Sequence, residues 1–138
     1  MIRVTRRYRF PAAHVLRSDR FSDAENLRLY GKCANPNGHG HDYGLEITLS
    51  GPLDPLIGSI LPIDRLDLLV RERILDRLSH RLLNDDPWFQ DAVPTAENIV
   101  LAVQRELADA LEGTSTARVR SVRLHETRRN AFECGSET

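Results

Sequence analysis

Hydrophobic and polar positions alternate from Ile2 to His14. Val4, Tyr8, Phe10, Ala12 and His14 share one parity, broken at Arg6, while Arg3, Thr5, Arg7 and Arg9 hold the other. A period of two predicts a strand with one buried face, and Pro11, which lacks a backbone N–H, predicts an edge or a bulge within it. Arg17 to Gly31 is a polar excursion in which Ser22-Asp-Ala-Glu25 reads as a capping box opening a short helical turn through Leu27 to Leu29. Asn35-Pro-Asn-Gly38 is a turn. Gly40 to Leu53 predicts a second strand, with Tyr43, Leu45, Ile47 and Leu49 alternating with Gly44, Glu46, Thr48 and Ser50. His39 and His41 fall in phase with the apolar set, so if the strand begins there both imidazoles point to the buried face.

The second half changes period. Asp54-Pro-Leu-Ile-Gly58 turns the chain, Ser59 to Pro62 predicts a short strand, and Asp64 caps a helix to about Leu78 with Leu66, Leu69, Val70, Ile74 and Leu78 as its apolar stripe. Ser79 to Val93 is a loop. Thr95 opens a second long helix as its N-cap, with Ile99, Val103, Leu107 and Leu111 inward and Gly113 as the stop. Ala117 to Thr127 is a last long strand, and Asn130 to Cys134 pairs with it or with a neighbour. The order β, β, short β, α, α, β predicts a single α+β domain over residues 1–138, an antiparallel sheet covered on one face by two long helices. Association into a closed oligomer would remove the free sheet edges.

Composition narrows the class. A chain of 138 residues, 41% hydrophobic and 28% charged, can bury its own core without staples. It has no apolar run near the roughly 20 residues that span a bilayer. A formal net charge of -1 argues against a dedicated nucleic-acid or membrane-surface binder. The opening residues, MIRVTRRYRF, carry charge but no apolar stretch or cleavage site, so the expected location is the cytoplasm. A reducing compartment makes a disulfide between Cys33 and Cys134 the weaker reading.

Candidate chemistry gathers in Gly31 to Tyr43, GKCANPNGHGHDY. Two histidines two apart on a strand project side by side, and His14, at the end of another strand with inward parity, is the natural third. Three neutral imidazoles with a vacant fourth position describe a catalytic zinc (Zn2+) site; an isolated His-x-His pair is more often a polar strand end. Cys33 is either a fourth ligand that closes the site or a thiol standing off it to exchange a proton. Glu126 has the parity of Val122 and Leu124 and points inward, where it would need a partner that forks two hydrogen bonds onto it, the edge of a pterin or guanine ring or else an arginine. His80 could be the partner base of Cys33 or a surface histidine. Thr95 is explained by capping, with a hydroxyl that can also donate to a ligand, and Cys134 by simple packing or exposure.

Phe10-Pro-Ala-Ala-His14, Glu25-Asn-Leu27, Gly31 to Tyr43, Pro94-Thr-Ala-Glu-Asn98 and His125-Glu-Thr127, in that order, resemble the 6-pyruvoyltetrahydropterin synthase family over nearly the whole chain. Five residues separate Cys33 from His39, as in the 6-pyruvoyl type; the related 6-carboxytetrahydropterin synthases of queuosine biosynthesis often have a shorter gap. The resemblance implies a tunnelling fold (T-fold) whose trimers close a barrel and stack as hexamers, with active sites at subunit junctions. It implies zinc on His14, His39 and His41, Cys33 as the catalytic thiol with His80 beside it, and Glu126 as the pterin anchor.

The implied activity is a lyase of tetrahydrobiopterin biosynthesis that converts 7,8-dihydroneopterin triphosphate to 6-pyruvoyltetrahydropterin with loss of triphosphate. The alternatives are the 6-carboxy product with acetaldehyde, or a non-catalytic pterin binder. The last is motivated by Leu78-Ser79-His80, where the family usually has Leu-Asp-His; Asp76 or Asp85 could substitute for the missing charge.

Overall fold

The computed structural model describes residues 1–135, so residues 136–138 of the domain expected over 1–138 lie outside the described residues. Strands β1 (Ile2–His14), β2 (His39–Gly51), β3 (Arg118–His125) and β4 (Ala131–Gly135) form one antiparallel sheet in the order β1-β2-β3-β4. Between them run helices α1 (Asp23–Tyr30), α2 (Ile63–Val70), α3 (Asp76–Leu78) and α4 (Ala96–Leu111). Among the described residues no helix is long and apolar enough to cross a membrane.

The inward parity of the sheet meets the helices. Phe10, Tyr43, Leu45, Ile47, Leu49, Val122 and Leu124 are buried against Leu66, Val70, Ile74, Ile99, Val103 and Leu107. Each such side chain contributes about 1.5–3 kcal/mol by leaving water. Phe10 and Tyr43 stack across the β1–β2 pair with ring centroids 5.1 Å apart. Arg6, which broke the apolar parity of β1, has a structural reason: it forks onto Asp67 of α2 at 3.0 and 2.8 Å, and the Tyr8 hydroxyl donates to the same carboxylate at 2.8 Å.

Several boundaries differ from the sequence expectation. The second strand starts at His39 and stops at Gly51, rather than running from Gly40 to Leu53. The expected strand over Ser59–Pro62 is absent, because Asp54 and Ser59 form only an isolated bridge that closes the turn. Pro62, not Asp64, is the N-cap of α2, and the Asp64 carboxylate accepts from the N–H of Arg65 instead.

The expected single helix to Leu78 contains a π turn over Arg71–Leu75. Its stripe Leu66, Val70, Ile74, Leu78 advances four residues at a time. A turn of about 3.6 residues would rotate that stripe away, and one wider turn keeps it facing the sheet.

The sheet has a bulge of its own. Thr48 pairs with Ser121 and Leu49 with Val119, leaving Arg120 as the extra residue. Val119 and Val122 therefore both face inward, and the alternation from Val122 onward keeps a new phase.

Candidate metal centre

β1 and β2 bring three imidazoles together by register alone. His14 lies directly opposite His39 and Ala12 opposite His41, so the three rings share the inward face at one end of the sheet. Ring centroids are 4.5 Å apart for His14–His39, 5.1 Å for His14–His41 and 4.9 Å for His39–His41. One nitrogen from each ring lies within 4.8 Å of the others, so the trio could hold a metal ion.

His14 is fully buried. Its Nδ1 is 2.8 Å from the carbonyl oxygen of Pro94, which can only accept, so Nδ1 carries the proton and Nε2 presents a lone pair toward His39, whose Nε2 is 2.9 Å away. Burial pushes the His14 imidazolium down to about 4, with the Pro94 hydrogen bond opposing and the other two histidines adding to the shift. His39 is also lowered, by burial first and His41 second. Neutral rings are the form that binds a cation. His39 Nδ1 and His41 Nε2 are buried with no hydrogen-bond partner. Orphaned buried nitrogens are costly unless something uses their lone pairs, and a divalent ion fits that requirement.

Around the trio, Tyr43 is buried beneath the rings with its hydroxyl 3.4 Å from His14 Nδ1. Burial, then the Glu126 carboxylate and Cys33, hold its phenol above the ordinary range. The same electrostatics place the Glu126 charge within reach of His39. Thr95 caps α4 by accepting from the Asn98 N–H at 3.3 Å, directly after the Pro94 carbonyl that holds His14.

Cys33 sits half-buried in a 3-10 turn over Gly31–Ala34, outside the histidine trio. Its carbonyl accepts from the Leu16 N–H at 2.7 Å. Asn26, buried at 1% exposure, ties down the preceding loop through Ser18, Phe21 and Ser22. Cys134 is also a free thiol, packed against the core and donating to Gln104 at 2.8 Å.

His80 is not one of the trio, but it shares a cleft with one of its members, His41. The His80 backbone is left-handed, φ 60°, and its N–H donates to Pro11 at 2.7 Å. It lines that cleft with Pro11, Ala12, Ala13, Gly40, His41 and Asp42. Cys33 and His80 are thus anchored at opposite ends of the run Pro11–Leu16, and among the described residues they share no hydrogen bond.

Sequence reasoning missed the Pro94 carbonyl, because a backbone acceptor so far along the chain leaves no mark in residue pattern. Tyr43 was legible only as core, although its parity with His39 and His41 already placed it beneath them.

The structure is an α+β domain whose sheet brings three imidazoles together at one end by cross-strand register, a group that could hold a metal ion. Over residues 3–137 the chain matches the family 6-pyruvoyl tetrahydropterin synthase. It is 40% identical over 128 residues to 6-pyruvoyl tetrahydrobiopterin synthase of Poecilia reticulata, covering 92% of this chain and 85% of that one. With the Homo sapiens 6-pyruvoyl tetrahydrobiopterin synthase the identity is 42% over 109 residues, covering 78% and 75%. The solved structure of Caenorhabditis elegans 6-pyruvoyl tetrahydropterin synthase superposes with a TM-score of 0.90 at 34% identity, over 99% of this chain and 96% of that one. The chain belongs to the 6-pyruvoyl tetrahydropterin synthase family, and its sheet with helices on one face is that family's T-fold.

Proposed function

We propose that this chain is a zinc-dependent lyase that converts 7,8-dihydroneopterin triphosphate to 6-pyruvoyltetrahydropterin, releasing triphosphate. The observation that carries the reading is the trio His14, His39 and His41, with its orphaned nitrogens, inside a chain of this family. Three neutral imidazoles with a fourth position open suit zinc. When bound, zinc supplies Lewis acidity toward the side-chain oxygens of the substrate.

The chain's own residues do the rest. Glu126 accepts two hydrogen bonds from the amidine-like edge of the pterin, fixing the ring so that its side chain reaches the metal end of the sheet. Thr95, whose oxygen is engaged in capping, has its hydroxyl proton left to donate to the ring. Cys33 as thiolate removes a proton from the substrate side chain, and His80 accepts and returns it. Internal redox and departure of triphosphate complete the reaction.

Because Cys33 and His80 are anchored apart within one chain, the dyad is completed where two copies meet. Among the described residues the outer edges of β1 and β4 have no neighbouring strand, β1 carrying only an isolated bridge from Ala13 to Leu82, and these edges are the surfaces on which a homo-oligomer, a hexamer in this reading, would close. A cytoplasmic setting suits two unpaired thiols.

Zinc-loaded protein incubated with 7,8-dihydroneopterin triphosphate, with mass identification of the pterin product, tests the reading. The expected result is the 6-pyruvoyl product with free triphosphate. Acetaldehyde and a 6-carboxy product would assign the related reaction instead, and bound pterin with no triphosphate release would make the chain a binder.

A further inference from the structure

On the outward face of the sheet, Glu46 of β2 has a side chain only 19% exposed among cationic neighbours from two strands. Arg7 of β1 lies at 3.3 Å, Arg123 of β3 at 4.0 Å, and the ring Nε2 of His125 donates to its carboxylate. Arg7 is 82% exposed, and such solvated pairs contribute little. The His125 hydrogen bond is the largest influence holding the Glu46 carboxyl below its ordinary range, ahead of Arg7.

The place of His125 in the register decides what it touches. It is the last residue of β3 and lies opposite Gly44, so it reaches diagonally to Glu46. A Cβ at Gly44 would stand 3.4 Å from His125 Cβ and 3.7 Å from its Cδ2, ordinary van der Waals contact, so the ring packs directly over Gly44. Beyond this pair β3 leaves β2, and Glu126 has no register partner there. Glu126, the first residue past the strand, carries its charge close enough to His39 and Tyr43 of the inward face to act on both. Both residues line one cleft of about 660 Å³.

We propose that His125 is a positioning residue: seated on Gly44 and held by Glu46 on one face of the sheet, it fixes the direction in which Glu126 leaves β3 on the other, and so the grip of Glu126 on the pterin ring. This rests on Glu126 being the pterin anchor.

The test is a double-mutant cycle on the zinc-loaded enzyme, with 7,8-dihydroneopterin as a non-reacting probe of binding and KM and kcat for the triphosphate as the second readout. His125→Leu, similar in bulk but unable to hydrogen-bond, is expected to weaken probe binding about tenfold and to raise KM more than it lowers kcat, with zinc stoichiometry unchanged. His125→Gln, which keeps a donor, should recover most of that loss. In a Glu126→Gln background, His125→Leu should have no further effect. If the two effects multiply, or if His125→Leu acts only by lowering zinc content and Tm, the positioning role is overturned while the anchor reading stands. If Glu126→Gln leaves probe binding unchanged, the anchor reading fails and takes this inference with it.

Discussion

The His14 ring is clamped by the carbonyl of Pro94, 80 positions away in sequence, at 2.8 Å. This contact sets the tautomer that leaves Nε2 free for a cation, and it ties the metal end of the sheet to the start of α4. His14→Gln is therefore expected to lower zinc affinity by at least about tenfold, as loss of an oriented ligand does. Competition against a chromogenic chelator measures it, and wild-type affinity in the variant would remove His14 from the ligand set.

Cys33 lies outside the trio of ligating nitrogens. Cys33→Ala should abolish turnover yet keep the zinc content of the wild type, as read by atomic absorption. Zinc lost together with activity would show the thiol to be a ligand.

Ser79 ends α3 and precedes the left-handed His80. If the missing charge beside His80 limits the rate, Ser79→Asp should raise kcat several-fold in steady-state assays. An unchanged rate would assign the limitation elsewhere.

The buried His14 predicts an acid-sensitive metal-free protein. Its folded-state value, about 4, lies below the ordinary 6.5, so the unfolded chain binds the proton more readily. The stabilisation is therefore fully present above about pH 6.5 and is lost as pH falls toward 4, a change of roughly 3 kcal/mol. Urea melts of the metal-free protein at stepped pH measure it, and His14→Gln should flatten the slope in that window; an equal slope in both proteins would assign the acid sensitivity to other groups.

The metal trio was legible because it depends on parity and register, which residue pattern encodes: His39 and His41 continue the Tyr43–Leu49 alternation, and His14 ends that of β1. Both N-caps were equally visible, Ser22 exchanging hydrogen bonds with Glu25 and Thr95 accepting from the Asn98 N–H, since each is a local contact. Hidden were features decided by tertiary competition. The π turn at Arg71–Leu75 answers to the sheet beneath it, the Ser59–Pro62 segment lacks a strand to pair with, and the separation of His80 from Cys33 follows from which residues of the Pro11–Leu16 run each one binds. The partnership of Glu46 with His125 was hidden for a similar reason, since each is an ordinary outward-facing polar residue until the diagonal contact joins them.

The extra residue at Arg120 separates the phase of β3 before it from the phase after it. Downstream orientation is anchored by Val122 and Leu124 in the core, not inherited from Val119. Removing Arg120 would straighten the β2–β3 ladder locally while Val122 and Leu124 keep their inward phase, so the bulge bends the strand without deciding which side of the sheet the residues after it face.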